Sequence, residues 1–334
     1  MSEKLKLILS VVTALVVIII FSVALSDDEK PYLTNENATV EAKAIFDYIV
    51  SLEGNGVLSG QQESTWMGSC DYETDYIYEK TGKLPVIKGF DYMNDDFDGV
   101  NERAVQWWLK GGIVTICWHC GSDFSGEWKD CMEDEVADWD KMLTEGTDEY
   151  NKMIAGMDKA AKALKKLQDE NIPVLWRPFH EFDGSWFWWS KGGYENFIRL
   201  WRIMYERYTY YWKLDNLIWV LGFSDQGKNS KQWYPGDDYC DIIGADTYQT
   251  DIYGKLYRKM NRITSVSKPL CLHECGDNPS VQELEKYPWC WFMTWHTEYL
   301  TDRNSDEELM ELYNSDFVIT LDEVDFSLKK ISKE

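Results

Sequence analysis

Short apolar, β-branched runs ending in polar or aromatic residues recur along the chain, at Gly56–Gln62, Leu84–Asp91, Gly112–His119, Ile172–Glu181, Leu217–Ser224, Cys240–Tyr248, Pro269–Glu274 and Cys290–His296. Their hydrophobicity is continuous, not alternating, which is the pattern of strands buried on both faces. Between them lie stretches with helical spacing. The clearest runs from Glu149 to Glu170, where Met153, Met157, Ala160, Ala161, Leu164 and Leu167 recur every three or four residues with lysines opposite; Val40–Leu52 and Tyr194–Tyr211 read the same way. Strands alternating with amphipathic helices make a parallel sheet covered on both faces. Eight such units favour an α/β chain closed as a (β/α)8 TIM barrel over an open, doubly wound sheet. No Gly-rich or low-complexity stretch divides the chain after about residue 37, so residues 37–334 are expected to form one domain.

The N-terminal pattern is different. Leu7–Ser26 is apolar and uncharged and follows Lys4 and Lys6, so residues 1–26 read as a signal peptide or membrane anchor, with 27–36 as a linker. The run is long enough to span a bilayer, yet it ends in Ala24-Leu25-Ser26, small residues at the positions a signal peptidase reads. Cleavage and retention both stay open. Either outcome puts the rest of the chain outside the reducing cytosol, secreted or tethered facing outward. The eight cysteines then permit disulfides, although spacing does not give connectivity; Cys120 to Cys131 is one candidate short bridge. Cys117-Trp-His-Cys120 matches a redox C-x-x-C only formally, since Gly121-Ser-Asp-Phe-Ser-Gly126 follows where a thiol-activating helix should begin. A zinc site with His119 lacks a second cysteine pair to complete four ligands. The Asn37-Ala-Thr sequon just after the apolar run carries little information.

Composition narrows the ligand. With 58 acidic against 34 basic residues and a net charge of -24, the chain lacks the basic face that nucleic acid requires, and anionic substrates are disfavoured too. It carries 17 Trp, 20 Tyr and 13 Phe, more flat apolar surface than a core of this size ordinarily uses. Sugar rings present apolar C–H faces to such planes, so a neutral carbohydrate fits, while core packing claims about half of these residues in any reading.

In a barrel of this type the functional groups gather at the C-terminal strand ends, and the unusual residues of this chain collect there: Trp118 and His119, His180 and Glu181, Asp246 and Tyr248, Glu274, Trp295 and His296. Singly, each reads as a satisfied polar residue at a strand end; their coincidence on one rim points to chemistry. Cutting a glycosidic bond needs one carboxylic acid to protonate the leaving oxygen and a second carboxylate at the anomeric carbon. Glu181 and Glu274, ending the fourth and seventh runs, face each other across the expected barrel mouth, and a separation of about 5 to 5.5 Å would make the mechanism retaining. Trp176, Phe179, Phe182, Trp186, Phe187, Trp188 and Trp189 flank Glu181 and can desolvate it, raising its pKa as a general acid requires. Glu274 needs the opposite environment, from Tyr248, Arg177 or His180. On an alternating strand Arg177, Phe179 and Glu181 share one side and His180 takes the other, so His180 reaches the site only if the strand breaks or bulges.

The segments Trp176-Arg-Pro-Phe-His-Glu181, Gly184-Ser-Trp-Phe-Trp-Trp189, Gly244-Ala-Asp-Thr-Tyr248 and His273-Glu-Cys-Gly276 resemble glycoside hydrolase family 26, chiefly endo-β-1,4-mannanases, over about Gly56 to His296. The resemblance implies a (β/α)8 glycoside hydrolase domain over 37–334 acting by double displacement. It implies Glu181 as acid/base, Glu274 as nucleophile, His180 beside the reacting sugar or nucleophile, Tyr248 bonded to the nucleophile and Asp246 lining the pocket. Trp186, His119 and Trp295 then bind sugars around the cleavage point, with Trp128 as a further subsite residue and Arg177 also counted with the substrate-binding set. Cysteines 117, 120, 271 and 275 depart from the family pattern. The family also contains mixed-linkage β-1,3-1,4-glucanases and xylan-cleaving members, and a barrel that only binds polysaccharide is the competing reading from another class. The expected partner is a β-linked plant-type polysaccharide met by a monomer, and the mechanism needs no metal or organic cofactor.

Overall fold

The computed structural model describes residues 30–324; the expected signal or anchor over 1–26 lies outside the described residues. Eight parallel strands close into a barrel in sequence order: β1 (Val57–Gln62), β2 (Ile87–Asp91), β3 (Ile113–Cys117), β4 (Val174–Arg177), β5 (Leu217–Ser224), β6 (Ile242–Thr247), β7 (Leu270–Cys275) and β8 (Trp291–Thr294), with β1 pairing both β2 and β8. Each coincides with one of the eight apolar runs, β7 reaching one residue past its run to Cys275. A two-residue β9 (Val318–Ile319) adds to β1 at Val57 and Leu58, below the point where the β2 pairing begins.

Two apolar clusters hold this frame. Inward-facing Leu58, Ile87, Ile113, Leu175, Ile218, Ile242, Cys271 and Trp291 form one cluster with Ala42, Ile45, Phe46 and Ile49 of helix α1 (Val40–Ser51). α1 therefore closes the N-terminal end of the barrel. The segment before it is pinned there as well: the Thr34 amide and hydroxyl both donate to Asp241 at 2.7 Å, just ahead of β6, and Asn35 donates to Asp215 at 2.9 Å, just ahead of β5.

The larger cluster fills the layer between sheet and helices. The periodic stretch noted in the sequence is helix α6, Asp148–Asp169, opened by the Thr147 side chain accepting from the Tyr150 amide at 3.1 Å. It follows α2 (Tyr72–Thr81), α3 (Phe97–Lys110) and two short helices in the β3–β4 connection, α4 (Trp128–Glu133) and α5 (Trp139–Met142). Its buried face is the expected one, Met153, Met157, Leu164 and Leu167 among others. Each of these side chains contributes about 1.5–3 kcal/mol by leaving water, so a charge at Leu164 would unseat the helix.

The strict alternation of strand and helix expected from the sequence is not complete. β5 and β6 are joined by 3-10 turns at Ser230–Trp233 and Asp237–Tyr239, with no α-helix between them. The stretch Tyr194–Tyr211 is helix only to Glu206 and then loosens into a π turn over Arg207–Tyr211. All eight cysteines are free. The candidate Cys120–Cys131 bridge is not formed; the Cys131 thiol lies 3.1 Å from the Cys120 carbonyl oxygen and donates to it.

Candidate active site

The fourth strand stops where alternation would have turned His180 away. β4 ends at Arg177, and Phe179 (φ 48°) and Glu181 (φ 52°) then adopt left-handed backbone conformations. Such a φ is uncommon for non-glycine residues and is held here from outside. The Glu181 amide donates to the Gly222 carbonyl at 2.8 Å, and the Trp189 indole N–H donates to the His180 carbonyl at 2.9 Å. Gly222 makes the room, because a Cβ there would lie 3.2 Å from the His180 Cβ. The tight turn delivers both His180 and Glu181 to the barrel mouth.

β7 solves the same problem with a bulge. Cys271 faces the barrel interior, and so does His273, which meets the Thr115 hydroxyl at 3.1 Å. Strict alternation would then send Glu274 outward. The pairing of β6 and β7 shifts between Ala245 and Asp246 so that Asp246 lies opposite Glu274, and both side chains point inward, as bulges beside active sites commonly arrange.

Arg177 lies between them, fully buried. Its Nη2 donates to Asp246 at 3.0 Å and to Glu274 in a short contact. The Tyr248 hydroxyl donates to the other Glu274 oxygen at 2.9 Å, and His180 Nε2 lies 3.8 Å from Glu274. Across the mouth, the Trp186 indole N–H donates to Glu181 at 2.8 Å. Gly184 permits this contact, since a Cβ there would overlap the indole at 2.1 Å. Oxygens of Glu181, Glu274 and Asp246 all lie within 4.8 Å of one another.

The electrostatics separate the two glutamates. Burial, reinforced by the negative charge of Glu274, pushes Glu181 up to about 8, with Arg177 and the Trp186 hydrogen bond opposing the shift. Glu274 is the carboxylate that receives the guanidinium and the phenol. Burial and then the Glu274 charge hold the Tyr248 hydroxyl well above its ordinary value, so it remains a donor. Burial and the nearby Arg177 charge drive His180 well below its usual range, so the ring is neutral at the site. A proton-bearing glutamate thus faces a carboxylate met by a cation and a phenol, the pair that acid-assisted displacement at an acetal carbon requires.

A cleft of about 540 Å³ covers these groups, lined by His119, Trp128, His180, Glu181, Trp186, Tyr248, Glu274 and Trp295 among others. Two of the expected substrate-binding residues, Arg177 and Asp246, are not in its lining; they lie beneath the floor with no side-chain exposure, because the guanidinium is spent on two carboxylates. Of the aromatic residues expected to desolvate Glu181, Trp186 and Phe187 reach the cleft, while Phe182, Trp188 and Trp189 pack into the core.

Sequence reasoning missed Trp66, Asp91 and Tyr299. Trp66 and Trp128 are the described tryptophans that stand exposed, at 55% and 52%, and both border the cleft. Asp91 ends the second apolar run, which was the available signal. It accepts from His119 Nδ1 at 2.5 Å and from the His119 amide at 3.0 Å, fixing the ring with Nε2 left for the cleft. Tyr299 packs on Tyr248 with ring centroids 4.8 Å apart. Asp91, Cys117 and His119 offer three ligand atoms within 4.8 Å, but the carboxylate and imidazole already satisfy each other.

The profile of glycosyl hydrolase family 26 matches residues 34–323. The chain belongs to that family. The family 26 chain is 32% identical over 320 residues to a mannan endo-1,4-beta-mannosidase of Thermothelomyces thermophilus, covering 87% of this chain and 63% of that protein. It is 33% identical over 314 residues to mannan endo-1,4-beta-mannosidase B of Piromyces sp., covering 88% of this chain and 54% of that protein. The chain thus spans less than two thirds of either relative. Among solved structures, a ruminal GH26 endo-beta-1,4-mannanase superposes with a TM-score of 0.83 at 31% identity, covering 90% of this chain and 72% of that one. A beta-mannanase from a symbiotic protist of the termite Reticulitermes speratus, complexed with gluco-manno-oligosaccharide, superposes with a TM-score of 0.81 at 26% identity, covering 88% and 97%.

Proposed function

We propose that this chain is a retaining endo-β-1,4-mannanase that hydrolyses mannan, galactomannan or glucomannan, with Glu181 as acid/base and Glu274 as nucleophile. The observation that carries the reading is the pair itself: two glutamates with oxygens within 4.8 Å, one pushed up to about 8 and the other met by Arg177 and Tyr248. That spacing is nearer the separation of about 5 to 5.5 Å in retaining enzymes than the about 6.5–9.5 Å that an inverting mechanism needs for its water. Glu181 protonates the glycosidic oxygen as a Glu274 oxygen attacks the anomeric carbon, forming a glycosyl ester and releasing the aglycone. Glu181, now anionic, takes a proton from water, whose oxygen displaces Glu274 and regenerates it. His119, His180, Trp186, Trp295 and Trp128 hold the sugars.

Mannan as substrate and endo action are supported by the names of the relatives. Work outside the cytosol, in secreted or tethered form, is supported by the Leu7–Ser26 run alone. The test is a substrate panel. Reducing ends should appear from galactomannan or glucomannan and not from barley-type glucan or xylan, and the reverse pattern would replace the substrate. Glu274→Ala should abolish release while keeping retardation of the protein in galactomannan gels. A parent that is retarded but releases nothing would make the barrel a binding module.

A further inference from the structure

Glu73 is a buried carboxylate outside the reacting centre that neither the motifs nor the proposed chemistry uses. It sits in the first turn of α2, 1% exposed. One of its oxygens accepts from the Ser64 amide at 3.1 Å, and the other accepts from the Thr297 amide at 3.0 Å. Those amides belong to the loops leaving β1 and β8, which approach each other only in space. A carboxylate is a strong acceptor for backbone amides.

What the two loops carry gives the contact its meaning. Two residues beyond Ser64 is Trp66, and immediately before Thr297 are Trp295 and His296; all three line the cleft. The Trp66 ring meets the His296 ring edge-on with centroids 4.7 Å apart, and His296 meets Trp295 at 4.9 Å. Thr297 itself is held at φ 48°, ψ −122°, a conformation that costs a β-branched residue enough to persist only when its surroundings impose it. The Glu73 carboxylate on its amide is such an imposition, and its other oxygen fixes the facing loop to the same point.

We propose that Glu73 is a positioning residue that joins the β1 and β8 loops into one wall of the cleft, so that Trp66, His296 and Trp295 act as a single sugar-binding surface. The inference rests on the mannanase reading for the identity of the sugar, and on geometry alone for the joining of the loops. Glu73 touches no reacting atom. Its loss should weaken binding and spare turnover.

The test uses the full chain with Glu73→Gln, which can satisfy only one of the two amides. Hydrogen exchange should speed up in peptides covering both 63–69 and 295–300, with β5 unchanged. KM for mannohexaose should rise about fivefold or more with kcat within about twofold. Trp66→Ala, on an exposed side chain, should raise KM comparably, and the double variant should fall well short of the product of the two effects. Unchanged exchange in either loop, or multiplicative KM effects, would overturn the proposal; so would a general loss of protection with an unaltered KM, which a merely structural carboxylate would give. If the parent cleaves no β-mannan, the functional reading fails, and the exchange result alone then upholds or overturns the joining of the loops.

Discussion

Trp186→Phe isolates one hydrogen bond with a calculable consequence. The Trp186 indole N–H is the donor that the described residues offer to the Glu181 carboxyl, at 2.8 Å, and it stabilises the ionised form, opposing the burial and the Glu274 charge that push Glu181 up to about 8. A general acid must carry its proton, so kcat/KM declines as pH rises through the Glu181 value. Removing a donor to the anion makes ionisation harder, so the alkaline limb moves to higher pH. A hydrogen bond to a charged group contributes about 1.5–3 kcal/mol, and 1.36 kcal/mol is one pKa unit. Water entering beside the smaller ring replaces part of this, which leaves an upward shift of about half to one unit. The assay is initial rates on soluble galactomannan from about pH 5 to about pH 10, with enzyme stability checked by re-assay at the optimum. The peak value should fall as well, since the indole also lines the cleft. An unmoved or lowered alkaline midpoint in an otherwise active variant would refute the assignment of Glu181 as the acid tuned by Trp186.

Glu181→Gln tests the same group through stability. The folded value of about 8 lies above the ordinary 4.5, so the folded protein keeps a proton that the unfolded chain loses, and the parent should lose up to a few kcal/mol of stability from this site as pH rises between those values. The variant should lack that component, seen as a smaller drop in urea midpoint between about pH 5 and about pH 8. Arg177→Met removes the cation between two buried carboxylates and should cost about 3–5 kcal/mol in urea unfolding as well as all hydrolysis; near-parental stability would mean the carboxylates had shed their charge. Asp91→Asn replaces the anion that anchors His119 Nδ1 and should raise KM several-fold with a smaller change in kcat, measured on mannohexaose. Its effect should vanish in a His119→Ala background.

The barrel was legible because its code is long-range and redundant. Eight apolar runs and the clear spacing of Asp148–Asp169 survive any local irregularity, and the carboxylates at 181 and 274 follow from two strand ends and one closed sheet. What could not be read was local geometry that tertiary contacts impose. Period-two alternation put His180 on the wrong side because the left-handed turn at Phe179 and Glu181 depends on Gly222 and Trp189, far along the chain or on another element. Arg177 and Asp246 sank beneath the cleft for a similar reason, since composition records charges but not which of them neutralise each other. Trp66 was invisible because a tryptophan in a loop carries no periodic signal, and its place on the rim is set by Glu73 and His296.

The buried cluster also limits its own charge state. Three carboxyls with oxygens inside 4.8 Å have one cation among them, Arg177, while His180 is held neutral by burial and by that same cation. Three anions and one guanidinium this close together would leave two uncompensated negative charges at short range, an arrangement that proton uptake relieves. Glu181 takes one proton, as its elevated value requires. Asp246 is the other site that favours uptake: burial pushes it well above its usual range, with the Arg177 contact opposing, and its Oδ1 finds no hydrogen-bond partner among the described residues. Arg177 is the shared partner of Asp246 and Glu274. Of the two, Glu274 lines the cleft and has a path to the anomeric carbon, whereas Asp246 lies beneath the floor and holds the guanidinium in place.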